Sequence, residues 1–161
     1  GAVVVDRALG LKMKVIAFDP ILTSEKAKAM GVEKVELDDV LTRADVITLH
    51  VPLLPGTKNI LNDAAFAKMK KGVLLINAAR GGLVDEAALL RAIENGTVRG
   101  AALDVFETEP AAPDHPLFKR EEVIATPHLG ASTFDAQVNV AVEAAEQMIA
   151  FAKDGTKINA L

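Results

Sequence analysis

The chain has 161 residues, half of them hydrophobic and a quarter charged, which suits one packed domain and excludes a disordered segment. A net charge of −4 argues against a phosphate-backbone partner such as nucleic acid, and the absence of cysteine removes disulfides, thiolate metal sites and thiol nucleophiles. The apolar runs are too short to span a bilayer, and no basic segment leads into an apolar one as in a secretory leader, so a cytoplasmic location is expected.

In chain order, Gly1 opens onto the apolar stretch Ala2-Val3-Val4-Val5, predicted as a helix that leads into a strand at 14–18. With no initiator methionine, the chain reads as part of a longer one. Ser24 is predicted to cap a short helix ending near Gly31, followed by a weaker strand at 32–37. Asp38 is a candidate cap for a helix over 39–44, before a strand at 46–51. Asn62 and Asp63 open a helix carrying Phe66 and Met69 and stopping at Lys70-Lys71-Gly72, before a strand at 73–76. Asp85 opens a helix over 86–94 that Asn95-Gly96 stops. Strands at 100–105 and 123–126 flank a proline-containing loop at 110–116. The last helix, 132–153, carries Val138, Ala141, Val142, Ala145, Ile149 and Ala152 on one stripe, read first as core and second as a subunit contact.

The strands are nearly continuous in apolar residues, as expected where both faces of a parallel sheet are buried. Strand and helix alternate with short connections. The predicted fold is therefore α/β, a doubly wound and mostly parallel sheet of Rossmann type, incomplete at its N-terminal edge.

In such a sheet ligands bind beyond the carboxyl ends of the strands, so the residues at those ends are the candidates. Asp19 is either the acid that accepts the hydroxyls of an adenine ribose, favouring NAD over NADP, or a turn residue before Pro20. Gly1 fits the last glycine of a phosphate-binding turn. Arg80, in Ala79-Arg80-Gly81-Gly82, offers a guanidinium that can grip a carboxylate through two parallel hydrogen bonds, or is a surface arginine in a glycine turn. His128 and Glu109 suit an acid–base couple, the carboxylate fixing the tautomer of the ring and raising its basicity. The alternatives are a helix-capping histidine and a solvated loop acid. His115 reads as an exposed loop residue and His50 as a structural one. Three histidines without ligand spacing give no metal site.

Asp19-Pro20, His50-Val51-Pro52-Leu53, Asn77-Ala78-Ala79-Arg80-Gly81-Gly82-Leu83-Val84-Asp85-Glu86, Ala102-Leu103-Asp104-Val105-Phe106-Glu107-Thr108-Glu109-Pro110 and Thr126-Pro127-His128-Leu129-Gly130-Ala131-Ser132-Thr133 together resemble the D-isomer-specific 2-hydroxy-acid dehydrogenase family. The resemblance covers nearly all of the chain, in order. It implies that residues 1–153 are an NAD-binding domain without its first strand and most of its glycine loop. Residues 154–161 would then return toward a substrate domain outside this sequence.

It also implies roles. Arg80, Glu109 and His128 would be catalytic. Gly1, Asp19, Val51, Ala78, Ala79, Arg80, Asp104, His128 and Gly130 would line the NAD site. The histidine block, with Asp19-Pro20, implies oxidation of D-3-phosphoglycerate to 3-phosphohydroxypyruvate, the entry to serine synthesis, and the family implies a homodimer or homotetramer. A glyoxylate/hydroxypyruvate reductase, a D-lactate dehydrogenase and an NAD(H)-sensing transcriptional corepressor of the same fold are the alternatives. Two positions depart from the family pattern: Val51 replaces a frequent threonine, and Ala78 a frequent cysteine. The 161 residues by themselves are expected not to turn over substrate.

Overall fold

The computed structural model describes residues 1–130 and 132–158. It forms two compact units, Gly1–Pro127 and His128–Leu161. In the first, the elements run α1 (Ala2–Gly10), β1 (Ile16–Ala17), α2 (Ser24–Ala29), β2 (Glu33–Lys34), α3 (Leu37–Arg43), β3 (Val46–Leu49), α4 (Asp63–Phe66), β4 (Val73–Asn77), α5 (Glu86–Glu94), β5 (Val98–Leu103), a 3-10 turn (Pro116–Lys119) and β6 (Val123–Ala125). The second holds one long helix, α6 (Phe134–Asp154).

Every strand pairing is parallel, as the apolar runs and short connections predict. The strands form two sheets, β1-β2 and β3-β4-β5-β6, where the sequence suggests one sheet open at its edge. In a doubly wound order the strand that feeds the first helix lies between those equivalent to β1 and β3. The described residues contain no such strand, so the discontinuity is central and not peripheral.

Helix starts follow local chemistry. Asn62 accepts a hydrogen bond from the Ala65 amide at 3.1 Å and Asp85 one from the Ala88 amide at 2.8 Å, both as predicted. Each such cap is worth about 1 kcal/mol. Other boundaries move. Thr23, not Ser24, caps α2, and α6 starts at Phe134 with Thr133 as its cap, two residues past the predicted start. Helix α3 starts at Leu37 without a side-chain cap, because the Asp38 carboxylate lies inside its first turn and binds Lys68 Nζ at 2.7 and 2.8 Å. Helix α4 stops at Phe66, short of the predicted Lys70.

The core sits between α4, α5 and one face of the larger sheet. Leu61, Leu75, Leu89 and Leu117 are almost fully buried there with Val73 and Val98. A leucine taken fully out of water contributes about 1.5–3 kcal/mol. Along β4 burial alternates: Val73, Leu75 and Asn77 point into this core, whereas Ile76 is 39% exposed. The expectation of two buried faces therefore fails here, because α4 and α5 cover only one. The stripe on α6 is not core either. That helix buries no residue, and Val138, Val142 and Ile149 are about half exposed. A stripe marks an apolar face without specifying what covers it.

Candidate active site

Parallel pairing brings the carboxyl ends of β3, β4, β5 and β6 to one edge of the larger sheet. Val51 lies two residues past β3, residues 78–80 directly past β4, and Asp104 directly past β5. Glu109 is in the loop that continues from Asp104. Asp19 lies two residues past β1, and Gly1 heads α1. His128 opens the second unit, with Gly130 two residues on.

The loop that carries Arg80 is held from below by Asn77, a buried polar residue only 2% exposed. Its amide oxygen accepts from the Ala79 N–H at 3.1 Å, and its amide nitrogen donates to the Arg80 carbonyl at 3.0 Å. The Asn77 carbonyl also accepts from the Asp104 N–H at 2.9 Å, which joins the ends of β4 and β5. Both side-chain functions of a buried amide are thus used, as burial requires. Thr126 Oγ1 donates to Asp104 Oδ1 at 2.5 Å and extends the connection to the end of β6.

The Arg80 and Glu109 loops meet backbone to backbone. A Cβ on Gly81 would stand 1.8 Å from the Phe106 carbonyl oxygen, so only glycine permits this approach. The Phe106 N–H in turn donates to Glu109 Oε1 at 3.0 Å. The guanidinium-bearing loop and the carboxylate-bearing loop are therefore registered through residues 81 and 106. Arg80 itself is exposed, with Nη1 donating to the Ala79 carbonyl at 2.6 Å.

His128 has φ 57°, in the left-handed region that costs a non-glycine residue about 1–2 kcal/mol. Strained conformations of this kind concentrate at functional sites. Its carbonyl accepts from Ser132 Oγ at 3.4 Å.

The donor set suits a dinucleotide. Gly1 heads α1 without a side-chain cap, leaving amides of the first turn available to an anion. His50 lies beside it, 3.6 Å from where a Gly1 Cβ would be. Desolvation holds the His50 imidazole below its ordinary pKa, and the ring bonds Thr48 Oγ1 at 3.0 Å. Asp19 Oδ1 accepts from the Ile21 N–H at 2.9 Å, so this carboxylate does serve the turn. The ribose and turn readings are compatible, since a carboxylate has two oxygens.

Three residues escaped the sequence reading. Asn77 was visible only as a polar residue ending an apolar strand. Glu86 and His115 gave no local signal, being 29 positions apart, yet their side chains meet at 3.0 Å. His115 is thus no exposed loop residue: its side chain is 18% exposed and its ring clusters with those of Phe106 and Phe118, which also touch each other. Among the described residues no group of three or more histidines and acids is placed to hold a metal ion.

Parallel strands wound with helices, and polar residues gathered at the strand ends, define a nucleotide-binding domain of Rossmann type. Residues 1–130 match the family model for the NAD-binding domain of D-isomer specific 2-hydroxyacid dehydrogenases, and the chain belongs to that family. It is 55% identical, over 95% of its length, to the D-3-phosphoglycerate dehydrogenase of Bacillus subtilis, and spans 29% of that relative. A glyoxylate reductase from Paecilomyes thermophila is similar in structure with a TM-score of 0.86 and 32% identity, over 96% of this chain and 47% of the other. The D-lactate dehydrogenase of Aquifex aeolicus, solved with NAD and lactic acid, gives 0.82 and 35%, over 96% and 51%. The chain thus spans less than a third of its curated relative and about half of the solved ones.

Proposed function

We propose that this domain serves an enzyme that oxidises D-3-phosphoglycerate to 3-phosphohydroxypyruvate with NAD, at the entry to serine synthesis. The reading is supported by the Gly81–Phe106 contact, which registers the Arg80 loop against the Glu109 loop at the sheet edge where a nucleotide binds. The choice of substrate is supported by the 55% identity to a phosphoglycerate dehydrogenase, against 32–35% to the glyoxylate and lactate enzymes.

NAD, when bound, supplies the acceptor for the hydride that leaves C2 of the substrate. Arg80 holds the substrate carboxylate and the C2 oxygen through its fork of donors. His128 removes the C2 hydroxyl proton as the carbonyl forms, and returns it in the reverse direction. Glu109 has the role of the carboxylate that stabilises the His128 imidazolium as it takes the proton. Asp19 binds the adenine ribose, and Gly1 leaves the first turn of α1 open to the pyrophosphate. Val51, Ala78, Ala79, Asp104 and Gly130 line the nicotinamide and its ribose. Residues 1–153 act as the NAD-binding domain, with 154–161 leading toward the substrate domain. Residues 159–161 of that segment lie outside the described residues. The complete enzyme is a cytoplasmic homodimer or homotetramer.

The test is a substrate panel on the complete enzyme, read by NADH absorbance. Phosphohydroxypyruvate reduction should far exceed that of pyruvate and glyoxylate. His128→Ala should lower turnover about 10²–10⁴-fold while NAD affinity stays near wild type. Equal rates on all three keto acids would defeat the substrate assignment, and unaltered turnover would remove His128 from proton transfer.

A further inference from the structure

We propose that Glu86 and His115 form a positioning pair that sets the Glu109 loop. The role rests on the reading above, in which Glu109 works on His128. Glu86 is the first residue of α5, and Asp85 already caps that helix. A first-turn acid that served only the helix dipole would stand in solvent. The Glu86 side chain is instead 19% exposed, and both of its oxygens are engaged outside its helix. Oε1 accepts from the Glu107 N–H at 2.6 Å, and Oε2 meets His115 Nε2 at 3.0 Å.

The histidine is itself fixed. Its Nδ1 accepts from the Leu117 N–H at 3.3 Å, so the proton sits on Nε2 and is donated to Glu86. Its ring centroid lies 5.5 Å from that of Phe106 and 5.2 Å from that of Phe118.

The peptide joining Phe106 to Glu107 is consequently clamped on both sides. Its carbonyl abuts Gly81, and its N–H is bound by Glu86. One residue back, the Phe106 N–H holds the Glu109 carboxylate. A hydrogen bond to an ionised acceptor is about twice as strong as a neutral one. Glu86 is thereby a rigid stop for the loop that must deliver Glu109, and His115 keeps that carboxylate aimed.

The experiment uses the complete enzyme, with Glu109→Gln as reference beside Glu86→Gln and His115→Phe. The phenylalanine keeps the aromatic packing and removes the donor to Glu86 together with the acceptor for the Leu117 N–H. Each of the two should lower kcat about 10-fold, since a misplacement near 1 Å costs up to about 10². The KM for NAD should stay within about twofold, and the pH–rate profile should move toward that of Glu109→Gln. Combined with Glu109→Gln, either should add less than about twofold, as expected for residues acting through one another. His115→Gln, which returns an N–H donor, should restore most of the rate. Wild-type kcat and pH profile in Glu86→Gln and His115→Phe, beside an impaired Glu109→Gln, overturn this proposal alone. Should Glu86→Gln fail to fold, His115→Phe decides by itself. An unimpaired Glu109→Gln overturns the acid–base reading and this proposal with it.

Discussion

Replacing Gly81 with alanine tests how the two loops are registered. The added methyl carbon would lie 1.8 Å from the Phe106 oxygen and 2.4 Å from its carbonyl carbon. Ordinary contact begins near 3.5 Å, so the loops must part by roughly 1.5 Å. Both obstacles are backbone, so no side-chain rotation relieves the overlap. Overpacking of this severity costs about 3 kcal/mol, the upper end of its usual range. In a domain of this size that lowers the midpoint of thermal unfolding by roughly 6–12 °C. Arg80 adjoins the displaced residue, so kcat/KM for the hydroxy acid should fall about 10²-fold. Gly56→Ala is the control, since a Cβ there meets nothing within 4 Å. Calorimetry and steady-state NADH absorbance on the complete enzyme give both readouts. A Gly81→Ala protein as stable and as active as Gly56→Ala would refute the claim that this contact registers the site.

Two further expectations concern the groups beneath and beside the site. Asn77→Leu keeps the branching of the side chain but leaves the Ala79 N–H and the Arg80 carbonyl without their Asn77 partners, so urea unfolding should show a loss of about 2–4 kcal/mol, and KM for the hydroxy acid should rise more than KM for NAD. At the joint between α4 and α5, Arg91 binds the Asp63 carboxylate at 3.0 and 2.7 Å and holds its pKa below the ordinary carboxylate value. The native state therefore resists protonation of Asp63. The contribution of this pair is complete above the unfolded value of about 3.9 and is lost as pH falls through the lower native one. Urea midpoints measured between pH 5 and pH 2 should fall less steeply in Asp63→Asn than in wild type.

Much of the fold could be read from residue order because its signals are local. Apolar runs marked the strands, and Asn62 and Asp85 marked helix starts through side chains that reach amides three residues on. The misplaced boundaries arose where neighbours compete. Thr23 stands beside Ser24, and only backbone geometry selects between them as the cap. Asp38 was misassigned because its partner, Lys68, lies 30 residues away. The strand-end candidates followed from the topology of a parallel sheet. Their supporting contacts did not, since Gly81 with Phe106 and Glu86 with His115 are long-range pairs without a spacing rule. The backbone of His128 was equally hidden, because a left-handed φ at a histidine leaves no mark on composition or period.

The split between the two sheets has a practical corollary. Among the described residues β1 pairs with β2 alone and β3 with β4 alone, so each carries a rail of peptide donors and acceptors on its other flank. Such rails capture extended polypeptide of almost any sequence. Anyone preparing these residues as a separate recombinant piece should expect solubility to be governed by those rails more than by surface charge. Supplying a short, strand-forming peptide in trans is the direct way to keep such a preparation from adhering to itself.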